Sequence, residues 1–253
     1  MQLAGKWLAV PYPKPEANLR LFCFPFAGAG ASVFFPWAKA LAHLPVELRC
    51  VQYPGRENRL RETPLESLRE LIPAIAAAVS QDLSRPFAFF GHSIGALIAF
   101  ETARHLRRKG LPLPVHLFVS AARPPDLPAR EENLNHLPAN EFFDRVAKRY
   151  QGVPSEVMLN PELRELLWPM LRADFALIEN YIHEREAPLN FPISAYGGAS
   201  DPVAIPEYIP QWERHTSGRF EWQLFPGDHF YLKGVSRDSL LQEIAKYVSV
   251  YCS

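Results

Sequence analysis

The pentapeptide Gly91-His92-Ser93-Ile94-Gly95 constrains this chain more than any other feature of it. It stands between two apolar runs, Phe87-Ala88-Phe89-Phe90 and Ala96-Leu97-Ile98-Ala99-Phe100. The first reads as a buried strand and the second as the opening of a helix. A serine in so sharp a turn projects its hydroxyl, while glycines on either side keep backbone and helix from colliding with it. The helix beginning at Ile94 points its N-terminal amides toward any negative charge that develops there. Strand, Gly-x-Ser-x-Gly and helix together form a nucleophile elbow, with Ser93 as the candidate nucleophile.

The rest of the chain alternates short apolar runs with segments of helical period, the pattern of βα units. Residues 19–24, 47–52, 87–90, 115–120, 192–196 and 220–225 read as strands. Residues 64–83, 94–109 and 239–250 read as helices, the second closed by Gly110. Between residues 124 and 188 no strand is legible, only helical patterns at 141–150, 161–171 and 173–181. Either these are ordinary crossovers, or they form a helical insertion over the sheet, a lid; the break in the βα order favours the lid. The expectation is an α/β class protein with the α/β-hydrolase fold, a mostly parallel central sheet flanked by helices. The core would comprise residues 1–123 and 189–253, and the lid residues 124–188.

Composition narrows the partners. The 253 residues carry 27 basic and 27 acidic side chains, so nothing favours nucleic acid or an anionic membrane surface. No apolar run approaches the length of a membrane span, and the apolar stretch at Trp7-Leu8-Ala9-Val10 is too short for a secretory leader. Cys23, Cys50 and Cys252 are odd in number and widely spaced, which suits free thiols in a reducing cytoplasm. The expectation is a soluble cytoplasmic protein, with nothing demanding more than a monomer.

A serine hydroxyl needs a base, and in this fold the base follows late in the chain with an acid before it. Only His215 and His229 lie beyond the strand at residues 192–196. His215 sits in a polar stretch and reads as a surface residue. His229 follows a strand and the turn Phe225-Pro226-Gly227-Asp228, on a loop leaving the sheet's carboxyl edge, and is the candidate base. His92 is too constrained to serve its neighbour and reads as a packing residue. For the acid, Asp201 is favoured because it follows the strand Ile193-Ser194-Ala195-Tyr196, with Pro202 fixing the turn. Asp126 is its main competitor, Asp174 a third, and Asp228 adjoins His229 too closely to orient the ring. Oxyanion donors are expected from the Ile94 amide and from the loop Pro25-Phe26-Ala27-Gly28-Ala29-Gly30, Ala27 first and Phe26 next. That loop is no dinucleotide fingerprint, since Val33 occupies the third glycine position, and His183-Glu184 lacks the second histidine of a zinc motif. No metal and no cofactor are expected.

With these pieces placed, the sequence resembles the type II thioesterases, the stand-alone editing enzymes of nonribosomal peptide and polyketide assembly lines. The resemblance rests on Phe24-Pro25-Phe26-Ala27-Gly28, Gln52-Tyr53-Pro54-Gly55-Arg56-Glu57, the Ser93 pentapeptide, Arg172-Ala173-Asp174-Phe175, Asp201-Pro202 and Gly227-Asp228-His229-Phe230. It implies hydrolysis of acyl thioesters from the phosphopantetheine arm of acyl- or peptidyl-carrier proteins, the arm belonging to the substrate. It also implies a helical lid over an acyl pocket, and Asp201 rather than Asp126 as the acid. Two departures stand out. The family commonly has histidine and paired glycines where this chain has Phe26 to Gly30, and methionine where it has Ile94. Arg56, Arg59 and Arg61 read as a solvated basic loop, with contact to an acidic carrier as the alternative. The motifs alone also admit an esterase on free esters, an acyltransferase, or a silent ligand receptor on a hydrolase scaffold.

Overall fold

The computed structural model describes residues 2–81, 83–128, 132–150 and 155–251. Cys252 lies outside them, as do small parts of the expected insertion at 129–131 and 151–154. Eight strands form one sheet: β1 (Gln2–Ala4), β2 (Leu8–Val10), β3 (Leu19–Phe24), β4 (Val46–Val51), β5 (Phe87–His92), β6 (His116–Ser120), β7 (Ile193–Gly198) and β8 (Phe220–Phe225). Their order is β1-β2-β4-β3-β5-β6-β7-β8, and every pairing from β4 to β8 is parallel. This is the expected mostly parallel sheet of the α/β-hydrolase fold. The short strands β1 and β2 are an addition: they form an antiparallel hairpin that extends the β4 edge. Three residues carry too little periodicity for either strand to be legible beforehand.

Both faces of the sheet are buried along β3 to β7, so those strands are largely apolar, whereas the edge strand β8 is partly exposed and alternates apolar with polar residues. Alternate residues still point to opposite sides. Phe22, Phe24, Phe87 and Phe89 pack beneath α2 (Leu68–Ser80) and α3 (Ile94–Arg108). Leu21, Cys23, Ala88 and Phe90 pack with Trp37 of α1 (Phe35–Ala40) and with Leu240 and Ile244 of α7 (Arg237–Ser249). The helix expected at 64–83 is shorter, because the run from Pro64 stays extended until Ser67 caps Arg69. At the end of α3, the Gly110 amide donates to the Arg107 carbonyl and the Leu111 amide to the Leu106 carbonyl, the double bond of a Schellman closure.

Between β6 and β7 the described residues hold three helices, α4 (Ala139–Tyr150), α5 (Ser155–Leu159) and α6 (Pro161–Glu179). They build an apolar cluster of their own, Leu134, Phe142, Phe143, Val157 and Phe175 among its members. α6 is one helix where the sequence suggested two. Asn160 caps it, Pro161 opens it, and the helix runs on through Pro169 and Arg172.

His116 shows what burial in the sheet does to a charge that has no carboxylate partner among the described residues. Its ring stacks on Phe118 with centroids 4.2 Å apart, and Nε2 lies 2.9 Å from Ser194 Oγ. Burial first, with the Arg219 charge adding, pushes its pKa from the usual 6.5 to about 4. Between those values the unfolded chain binds a proton that the native state refuses. This contribution is therefore complete above pH 6.5 and is lost as pH falls toward 4. A His116→Gln variant is expected to flatten that part of a plot of urea midpoint against pH; an unchanged slope would place the acid sensitivity elsewhere.

Candidate active site

Chain order reverses between β3 and β5: the chain steps from β3 to β4 on one side and then to β5 on the other. Open parallel sheets form a crevice outside the carboxyl ends of strands at such a point. The loop after β3 and the elbow after β5 both open into it. Ser93 has φ +56° and ψ −123°, a conformation that costs a non-glycine residue of order 1–3 kcal/mol. Its amide is tied to the Ser120 carbonyl at 2.8 Å. Both flanking glycines are required by close approach: a Cβ on Gly91 would overlap the Gly95 carbonyl, and one on Gly95 the Phe24 carbonyl. Strand, turn and helix are thus pressed together around the hydroxyl.

His229 Nε2 lies 3.0 Å from Ser93 Oγ, and His229 Nδ1 lies 2.8 Å from Asp201 Oδ2. The other Asp201 oxygen accepts the Val203 and Ala204 amides at 2.8 and 3.0 Å. These bonds fix the orientation of the buried carboxylate, with Oδ2 turned to the imidazole. The structure therefore brings together Ser93, Asp201 and His229. Ile94, at the head of α3, and Ala27, on the β3 loop, each line a cavity that also contains Ser93. The Gly28 amide is taken by Asp174 Oδ2 at 2.8 Å, and the adjoining Ala27 lines the cavity together with Phe26.

The competing assignments resolve elsewhere. Asp126 accepts from His215 Nε2 at 2.8 Å, far along the chain from the His229 loop. His215 itself is a correction: it is buried, packed between Phe100, Trp212 and His183, rather than on the surface. It lies at the end of a 3-10 segment, Pro206–His215, whose tight turns bury residues that a polar sequence does not announce. Asp174 forms a two-pronged ion pair with Arg56, Nη1 to Oδ2 at 2.8 Å and Nη2 to Oδ1 at 2.7 Å. Arg56 and Arg59 are likewise corrected from solvated to buried. Arg59 donates to the Gln52 carbonyl and lies 4.1 Å above the Trp7 ring, whereas Arg61 is exposed. An arginine is buried when carboxylates, carbonyls and aromatic faces surround it, and those partners come from distant segments.

His92 is the packing residue expected, with a defined task. Its Nε2 lies 2.9 Å from the His229 carbonyl, so that nitrogen donates and Nδ1 must accept from Ser120 Oγ at 2.8 Å. Ser120 in turn accepts from the Tyr231 hydroxyl at 2.5 Å. Burial first, then the neighbouring His229, holds the His92 pKa well below the usual value, so this relay stays neutral. It anchors the backbone of His229. Tyr150, from α4, closes over the His229 ring with centroids 5.1 Å apart and also packs on Phe175 of α6. Neither aromatic was singled out for the site beforehand; Phe175 lies within a motif noted in the sequence, but Tyr150 carries no local signal.

Two cavities meet at Ser93. The larger, about 450 Å³, runs from the β3 loop beneath Val146, Leu167 and Met170 of the insertion helices. The smaller, about 110 Å³, is bordered by Arg123, Asn133, Arg149 and Val203. Among the described residues no group of three or more histidine, cysteine, aspartate or glutamate side chains could hold a metal ion.

Sheet order, elbow and late histidine loop define the α/β-hydrolase fold, here bearing a serine–histidine–aspartate chain. A family model described as the thioesterase domain matches residues 19–248. The gramicidin S biosynthesis protein GrsT of Aneurinibacillus migulanus is 38% identical over 228 residues, 90% of this chain and 88% of its own. Among solved structures, the RedJ thioesterase of the prodiginine pathway in Streptomyces coelicolor superimposes with TM-score 0.86 at 38% identity, covering 92% of each chain. The type II thioesterase BorB from the borrelidin cluster gives TM-score 0.87 at 33% identity, over 97% of this chain and 99% of its own. This chain belongs to the thioesterase family, hydrolases that act on thioesters.

Proposed function

We propose that this protein is a type II thioesterase that removes acyl groups from the phosphopantetheine arms of carrier proteins, clearing stalled or mis-primed carriers in nonribosomal peptide or polyketide synthesis. The observation that carries the reading is the continuous bonding from Asp201 through His229 to Ser93 at the mouth of an apolar cavity. In this reading Ser93 Oγ attacks the thioester carbonyl while His229 Nε2 takes its proton. The Ile94 and Ala27 amides hold the tetrahedral oxyanion, each donor contributing roughly 3 kcal/mol. The C–S bond then breaks, and His229 passes the proton it took from Ser93 to the departing pantetheine sulfur, which leaves as a thiol and returns the imidazole to its neutral form. Water, its proton drawn by His229, attacks the acyl-serine ester; the bond from the acyl carbon to Ser93 Oγ breaks, His229 returns the proton to that oxygen, and the acyl group is freed as the carboxylic acid.

Helices α4, α5 and α6 act as a lid, because they send Phe143, Val146, Val157, Leu167 and Met170 over the larger cavity and Arg149, Tyr150, Ile178 and Glu179 to the smaller one. The substrate brings its own prosthetic arm, so hydrolysis requires no further cofactor. Acyl- and peptidyl-carrier proteins are the proposed partners of a cytoplasmic monomer. Among the described residues no helix is long and apolar enough to cross a membrane, and Cys23 and Cys50 are free thiols.

Substrate preference tests the reading. An acyl thioester on a phosphopantetheinylated carrier is expected to exceed the matching free oxygen ester in kcat/KM by at least about tenfold, roughly 1.4 kcal/mol of transition-state stabilisation. Equal or better turnover of the free ester would assign the same machinery to an esterase.

A further inference from the structure

We propose that Arg56 and Asp174 are positioning residues for the oxyanion loop: their buried pair supplies the acceptor that holds the Gly28 amide, and so directs the Ala27 amide into the site. The inference rests on Ala27 being an oxyanion donor. Asp174 Oδ2 accepts the Gly28 amide and Arg56 Nη1 at once, both at 2.8 Å, while Arg56 Nη1 also donates to the Ala29 carbonyl at 3.2 Å. One carboxylate and one guanidinium therefore grip the loop on both sides of Gly28. Their side chains are only 4% and 6% exposed. Burying such a pair is costly, and apolar residues of similar volume often stabilise a fold as well or better. Stability alone gives little reason for ions here; an acceptor for one particular amide does.

The pair also joins two elements that have no covalent proximity. Asp174 lies on α6 of the insertion, and Arg56 on the loop after β4. That same loop is tied back by Gln52, whose Oε1 accepts the Ala31 amide at 2.8 Å and whose Nε2 donates to the Arg56 carbonyl at 3.1 Å. Leu171, one turn before Asp174 on α6, packs on Gly28. A displacement of α6 therefore moves the carboxylate that fixes the oxyanion loop, coupling the insertion to the donor geometry as well as to the cavity.

The test separates the acceptor from the ion pair. R56M/D174L removes both, whereas R56M/D174N removes the ion pair but leaves a carbonyl oxygen within reach of Gly28. The leucine variant is expected to lose about thirtyfold in kcat with KM within about twofold, and to lose a similar factor in affinity for an alkyl boronic acid, which places a negative oxygen in the hole. The asparagine variant is expected to recover about tenfold of each loss. Should the leucine variant not fold, R56M/D174S, too short to reach the amide, takes its place. Equal losses in the two double variants would overturn the positioning role. If Ser93→Ala keeps its turnover, or the wild-type protein does not bind the boronic acid, the serine mechanism itself fails and the inference falls with it.

Discussion

Ser93→Ala is expected to lower kcat by about 10⁶ while leaving the protein folded, the largest effect of any single substitution considered. Removing the nucleophile of a serine–histidine–aspartate hydrolase costs about that much, because the histidine and aspartate have no role left to play without it. What remains would come from the Ile94 and Ala27 donors and from substrate binding, which is why the variant should still exceed the uncatalysed reaction. Folding should survive for a specific reason. The deleted oxygen makes one hydrogen bond, to His229 Nε2, and His229 lines both cavities, where water can replace the lost partner. The strained backbone at Ser93 is the same for alanine, since both residues carry a Cβ. The melting temperature should shift by no more than about 4 °C, the equivalent of roughly 1 kcal/mol in a chain of this size. Turnover of carrier thioester above a few per cent of wild type, in a folded variant, would remove Ser93 from the mechanism.

The elbow and the meeting of Ser93, His229 and Asp201 were legible in the sequence because each position depends on local chemistry. Gly91 and Gly95 are needed for backbone approach, and Asp201 and His229 stand just beyond the carboxyl ends of two strands, an apolar one and one that alternates apolar with polar residues. What stayed hidden depends on contacts between distant segments. Arg56 and Asp174 are 118 positions apart, and neither segment alone says that its charge is buried. The same holds for His215, whose polar neighbours suggested exposure while Phe100, Trp212 and Asp126 enclose it. Helix α6 was divided at Arg172, yet Trp168 one turn earlier lies within cation–π distance of that guanidinium, and the apolar cluster continues through Phe175. Tertiary packing thus overrode a weak local break. The run from Tyr53 to Glu57, which had no catalytic meaning as sequence, lies where Gln52 and Arg56 hold the loop after β3.

The acid can be tested almost as sharply as the nucleophile, because Asp201 is bonded asymmetrically. Its Oδ1 is held by two backbone donors, the amides of Val203 and Ala204, and its Oδ2 faces His229 Nδ1 alone. In an Asp201→Asn variant the carboxamide oxygen must take the Oδ1 place, since an NH₂ there would oppose two N–H groups. The NH₂ is then directed at His229 Nδ1, which can only accept, so the ring proton moves to Nε2. That tautomer presents an N–H to Ser93 and cannot take its proton. The fold is preserved by near-isosteric replacement, yet kcat should fall by about 10⁴. The expected signature goes beyond lost rate: nitrogen NMR should place the neutral His229 proton on Nε2, whereas in the wild-type protein it should reside on Nδ1. Asp126→Asn provides the opposing arm. Its carboxylate is bonded to His215 and paired with Arg214, away from Ser93, so the variant should keep turnover within about threefold of wild type, in keeping with the modest cost of altering a hydrogen bond and a half-exposed ion pair. If Asp126→Asn is inactive while Asp201→Asn retains its activity, the acid has been assigned to the wrong strand.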